Sequence, residues 1–179
     1  MKNLKTFIAL ACLICFSFNS NLNAQSSIEN GSTLQFENAE TSLELIKNYI
    51  AALEKGDVAT MKKQLADNAT IYGLGGGADS LSVQQHQEYF TNSTDVYTHT
   101  INNEVFLPVK NTDSEIVPGE WVLVWGWNVL KNKETGNEIV IPFHIANRIE
   151  NGKIAMAAFY YDMANIMQKQ GFTISPPKE

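Results

Sequence analysis

Apolar residues recur at helical spacing in the first half of the chain and alternate with polar ones in the second. Leu43, Ile46, Ile50 and Leu53 lie three or four apart, the interval that gathers side chains on one helix face. Thr41 and Glu44 have the spacing of a capping box, and Gly56 supplies a stop, so a first helix of about four turns is predicted. Asp57 can cap a second helix at once, with Val58, Met61 and Leu65 on one face and Asp67-Asn68 closing it. Residues 69–74 read as a short strand, broken by the glycines at 73, 75, 76 and 77. Ser82 and Gln85 form a second capping-box pair, and Val83, His86 and Phe90 share one face of a third helix ending near Thr91.

From Asp95 the period changes to two. Strands are predicted at 97–109, 120–131, 138–150 and 153–161 from their β-branched and aromatic content. Asn151-Gly152 is the sharpest turn signal, since both residues tolerate the positive φ of a type I′ hairpin. Helices first and a long antiparallel meander afterwards predict an α+β fold, helices covering one face of a strongly curved, mainly antiparallel sheet. Partial cover would leave a pocket. No internal repeat, second domain or linker is visible.

The N-terminus changes the composition. Lys2 and Lys5 precede an apolar run over residues 6–18, and a polar stretch then ends at Ala24, the order of regions in a secretory signal. Its 13 residues fall short of the roughly 20 that span a bilayer. Cleavage after Ala24 would leave 155 of the 179 residues, with net charge −8 in place of −6 because two lysines and no acids are removed. Cys12 and Cys15, the only cysteines, would go too, leaving no disulfide or thiol chemistry. The predicted organisation is a signal at 1–24, a flexible leader at 25–40, one domain at 41–172 and a tail at 173–179, in an exported, periplasmic or secreted protein. An acidic chain without a Lys/Arg cluster excludes nucleic acid as a partner, and it argues against anionic membrane once the signal is gone.

Chemistry-bearing residues are few. The glycine run lacks the Gly-Lys-Ser/Thr of a phosphate loop. His86, His99 and His144 have no metal-ligand spacing, so no metal is expected. His86 and His144 lie on apolar surfaces and read either as hydrogen-bonded core residues or as pocket residues. Trp121, Leu123, Trp125, Trp127 and Val129 share one strand parity, so the indoles are expected on one side, as core or as a cavity wall. Asp162 follows Phe159-Tyr160-Tyr161. It reads either as a pocket carboxylate suited to proton transfer or as the cap of a helix beginning at Met163.

Ile50-Ala51-Ala52-Leu53-Glu54-Lys55-Gly56-Asp57 followed by Leu65-Ala66-Asp67-Asn68-Ala69 opens the domain, and Asn151-Gly152-Lys153-Ile154 leads to Tyr160-Tyr161-Asp162 with Gly171 nine positions on. Together they resemble the SnoaL-like branch of the nuclear transport factor 2-like (NTF2-like) superfamily, from Thr41 to about Phe172. The resemblance implies a cone-shaped α+β barrel with a deep hydrophobic pocket, no cofactor, and commonly a homodimer formed through the sheet. Members acting as polyketide cyclases or ketosteroid-type isomerases move a proton with a pocket carboxylate, while others only bind small molecules. Asp162 stands where the family carries an aspartate after paired aromatics. The chain departs from the pattern at Lys169, where a Gln is usual. Two functions follow as expectations. One is proton abstraction by Asp162 with Tyr72 or His144 stabilising an enolate. The other is binding of an apolar small molecule between Trp125, Trp127, Tyr161, His86 and Phe90, or a dimeric interaction role without catalysis.

Overall fold

The computed structural model describes residues 31–75, 79–115 and 117–175. The expected signal with Cys12 and Cys15, Gly76, Gly77 and the last four residues of the expected tail lie outside them. In chain order the elements are β1 (Ser32–Thr33), α1 (Ala39–Glu54), α2 (Val58–Gln64), β2 (Leu65–Tyr72), β3 (Ser80–Leu81), α3 (Val83–Val96), β4 (Tyr97–Asn111), β5 (Gly119–Asn132), β6 (Glu138–Glu150), β7 (Lys153–Tyr161) and α4 (Met163–Lys169). The α+β expectation is met.

Helix starts follow local chemistry. The Asp57 carboxylate accepts the Thr60 N–H at 2.9 Å, and Ser82 and Gln85 form the reciprocal box that opens α3. At α1 the expected box does not form. The helix begins two residues before Thr41, whose hydroxyl donates to the Asn38 carbonyl. The second helix is also shorter than expected, because Leu65 turns extended and opens β2, four residues ahead of the predicted strand. Ser32 and Thr33, inside the stretch read as a leader, pair with Asn111 and Lys110 as an edge strand.

The seven strands form one sheet in the order β1-β4-β5-β6-β7-β2-β3. All neighbours run antiparallel except β2 and β7. Three features at one level bend it. β4 carries a bulge between Asn102 and Val105, with Asn103 at φ 53°. Gly126 of β5 lies against the Asn102 carbonyl and the Phe143 ring. Pro142 of β6 stands opposite Trp127. Bulges and glycines relieve crowding where a sheet must turn. Pro142 also explains where β7 stops. The Val140 carbonyl, two residues earlier on the same edge, accepts from Asn165 of α4, so the nitrogen of Pro142 faces that side too and has no proton for another rung.

Inside the curve, Ile46, Tyr49, Ile50 and Leu53 of α1, Met61 of α2 and Phe90 of α3 pack on Ile71, Val122, Val124, Ile145 and Ile154. Burying each such side chain contributes about 1.5–3 kcal/mol. Glu54 ties α1 to the bend by accepting the Ile101 N–H at 2.8 Å.

Candidate functional site: a cavity on the concave face of the curved sheet

The helices cover only part of the concave face. A cavity of about 270 Å³ remains between α3, α4 and strands β4 to β7. Its walls are mostly apolar, with Leu53, Phe90, Leu130, Ile141, Ile145 and Phe159 among them, and Met163 and Ile166 of α4 close one side. None of the described residues lining it is a carboxylate.

Polar groups gather at one place on this wall. His99 of β4 and Asn128 of β5 stand two rungs apart in register, both on the concave face, and Ser93 reaches them from α3. His99 Nε2 lies 3.1 Å from Ser93 Oγ, and its Nδ1 lies 3.1 Å from the Asn128 amide. Burial holds the imidazole neutral by pushing its pKa down to about 4. The charge of Lys133 adds to this shift. With the Asn128 amide donating to Nδ1, the ring proton sits on Nε2 and points at Ser93 Oγ, which leaves the serine hydroxyl proton for another acceptor. The amide oxygen of Asn128 is buried and has no partner among the described residues.

Two further hydroxyls line the cavity beside this trio. Tyr161 donates to the Gly73 carbonyl at 3.1 Å. Burial, with the Tyr161 hydroxyl beside it, pushes Tyr89 well above the ordinary phenol range. Gly73 is required where it sits. Its φ is +86°, and a Cβ there would collide with the Phe159 carbonyl oxygen.

Of the residues expected from sequence, Phe90 and Tyr161 line the cavity. His86 lies behind Phe90, fully buried, its Nε2 2.6 Å from the Tyr49 hydroxyl and its ring 4.8 Å from that of Phe90. Burial pushes its pKa down to about 4 and lifts that of Tyr49 far above the phenol range.

The remaining expectations need correction. Trp125 and Trp127, 39% and 45% exposed, share a side as expected, but that side is the outer face of the sheet. There the His144 ring is stacked between Trp125 and Tyr160, at 4.7 and 5.6 Å, and its Nδ1–H donates to the Val124 carbonyl. Tyr72 points outward as well, beside Ala158 of β7. Asp162 is exposed and does not line the cavity; it caps α4 by accepting the Asn165 N–H at 3.0 Å. A carboxylate in this position is held by water and a helix end, not by an apolar pocket. The cavity's own polar residues, Ser93, His99 and Asn128, carry no motif in the sequence. The only available signal was strand parity combined with the correct pairing of β4 on β5.

Among the described residues no group of three or more His, Cys, Asp or Glu side chains converges as a metal site would. No helix among them is long and apolar enough to cross a membrane.

No protein-family model matches the sequence, and no curated protein matches it. Solved structures do. A candidate isomerase from Bacillus subtilis is 13% identical with a TM-score of 0.61, over 76% of this chain and 96% of that one. A candidate SnoaL-like polyketide cyclase from Shewanella denitrificans is 15% identical with a TM-score of 0.56, over 73% and 96%. An LEH-like epoxide hydrolase from M. tuberculosis is 12% identical with a TM-score of 0.55, over 73% and 89%. At such identities the likeness is one of architecture. The helices laid into a bent, mainly antiparallel sheet, with a cavity on its concave face, have the SnoaL-type NTF2-like fold.

Proposed function

We propose that this protein is an exported small-molecule-binding domain that takes an apolar compound into the cavity and holds one hydrogen-bond acceptor of that compound against Ser93 and His99. The observation that carries the reading is the lining itself: mostly apolar walls around a neutral cluster of Ser93, His99 and Asn128, with no carboxylate among the described lining residues. Pockets of this kind draw affinity from buried apolar area and orientation from a few polar groups. The similar structures described as an isomerase, a cyclase and an epoxide hydrolase support a small molecule as the partner. Proton transfer by Asp162 lacks the required geometry, since a general base must lie within hydrogen-bond reach of the proton it takes. Export is supported by the order of charged, apolar and polar stretches in residues 1–24. N-terminal sequencing of the protein from a periplasmic or culture fraction tests it, with Gln25 expected first.

The binding experiment uses N-phenyl-1-naphthylamine, an uncharged probe that fluoresces in apolar sites. Saturable binding is expected in the parent, and Ile141→Phe, which fills space at the cavity wall, should weaken it at least tenfold. Probe binding that ignores both Ile141→Phe and Leu130→Trp would overturn the reading.

We also propose a homodimer formed through the outer sheet face. Val105, Trp125, His144 and Tyr160 occupy one continuous rung across four strands, and three of them are more than a third exposed. An apolar stripe of this kind is unusual on a surface facing water.

A further inference from the structure

A second hollow lies against the mouth of the cavity. It has a volume of about 540 Å³ and is polar, lined by Asn132, Thr135 and Asn137 from the β5–β6 turn and by Lys169 at the end of α4. Two residues line both spaces, Tyr97 and Gln170. The Gln170 amide donates to the Tyr97 hydroxyl at 3.2 Å, so a hydrogen bond between two exposed or half-exposed side chains forms the partition. A rotation of the Gln170 side chain, which α4 does not otherwise use, would join the two.

The charges in the polar hollow are unequal. Glu138 is paired with Lys131 at 3.2 Å. Lys169 makes no ion pair among the described residues. The groove therefore offers one ammonium without an ion pair and one carboxylate already paired, beside the neutral Asn132, Thr135 and Asn137, which donate and accept hydrogen bonds, and the apolar Ile139 and Phe172. The apolar cavity beyond the partition holds about nine groups of roughly 30 Å³ each, the volume of one water. It has no charge of its own.

We infer that the ligand is amphipathic: its apolar body fills the inner cavity, and an anionic head, a phosphate or carboxylate, lies in the outer groove on Lys169, the two parts meeting at Tyr97 and Gln170. This rests on the reading of the inner cavity as a small-molecule site and adds the chemical class of the molecule. The apolar body drives binding, and the head fixes which end enters. Lys169 suits an anion of either kind because an ammonium acts as a point charge, without the fork geometry that would favour one planar group.

The test compares decyl phosphate with decanol and with inorganic phosphate by calorimetry on the whole mature chain. Decyl phosphate should bind at least tenfold more tightly than decanol, and inorganic phosphate alone should give no heat of binding. Lys169→Gln should lower the affinity for decyl phosphate to that of decanol, whereas Ile141→Phe should weaken both compounds. Equal affinities for decyl phosphate and decanol in the parent, both lost in Ile141→Phe, would overturn the two-part ligand and leave the inner site standing. Binding of neither compound would overturn both readings. Tight binding of inorganic phosphate would make the groove an anion site independent of the cavity and overturn the proposal.

Discussion

His86 and His99 share a physical state that has a measurable consequence. Both are buried and uncharged, with pKa values held down to about 4 by lost hydration, against 6.5 in an unfolded chain. Between those values the unfolded chain takes up protons that the folded chain does not. Stability is therefore fully present above about pH 6.5 and is lost as pH falls toward 4, on the order of 3 kcal/mol for each histidine. Urea unfolding between pH 7 and pH 4 should show the midpoint falling steadily, and the decline should flatten in a His86→Phe, His99→Asn double variant. Histidine ring protons that titrate near 6.5 for both residues in the folded protein would contradict this account. Asp162 makes the contrasting case. As a cap it should cost about 1 kcal/mol when replaced by Ala and almost nothing when replaced by Asn. Neither change should alter the affinity for an apolar probe by more than about twofold. A tenfold loss in Asp162→Asn would return this residue to the site.

At the scale of the element, the sequence is most legible where one local preference acts alone. β6 and β7 have the predicted bounds, because Asn151-Gly152 sets the hairpin and its signal is strong enough to survive the bulge that shifts the pairing between Arg148 and Ile149. The caps of α2 and α3 were readable for the same reason. α3, in contrast, runs five residues past Thr91 to Val96, where polar residues gave no helical pattern; Thr94 bonds back to the Phe90 carbonyl at 2.7 Å and Lys133 reaches in to take the Thr94 carbonyl. On β5 the alternation was visible but its sign was not. Val122, Val124 and Leu130 on one side and Trp121, Leu123 and Val129 on the other are both apolar sets. Period two assigns residues to two faces without saying which face the helices cover. That choice decided between Trp125 and Asn128 as pocket residues. Gly73 offers a test of how tightly the end of β2 is held. Gly73→Ala places a methyl group against the Phe159 carbonyl at a positive φ, and a loss of roughly 2–4 kcal/mol is expected in urea unfolding. A change below 0.5 kcal/mol would mean that β2 and β7 separate here at little cost.

At the scale of the whole molecule, the sheet has two faces with different work to do. The concave face spends its apolar residues on the helices and on the cavity. The convex face has no helix among the described elements packed on it, yet it carries Val105, Trp125, Trp127, Tyr160 and Val140, each more than a third exposed. Parallel pairing of β2 on β7 is the step that local sequence could not show, since it joins residues 65–72 to 154–158 across most of the chain. It also widens the convex face by bringing Tyr72 beside Ala158. If a second copy covers this face, the centre of the stripe should control assembly. Trp125 is that centre, flanked by Val105 on one side and by His144 and Tyr160 on the other. Trp125→Glu introduces a charge that the mate would have to desolvate without a partner, a cost of several kcal/mol, while the exposed side chain contributes little to the fold of one copy. Sedimentation velocity should show the parent at twice the mass of one chain and Trp125→Glu at the mass of one, with the urea midpoint of the variant unchanged once the parent is diluted to the same state. A parent that sediments as a single chain at every concentration tested would leave the stripe without this role. A Trp125→Glu variant that sediments as a dimer would place the interface elsewhere.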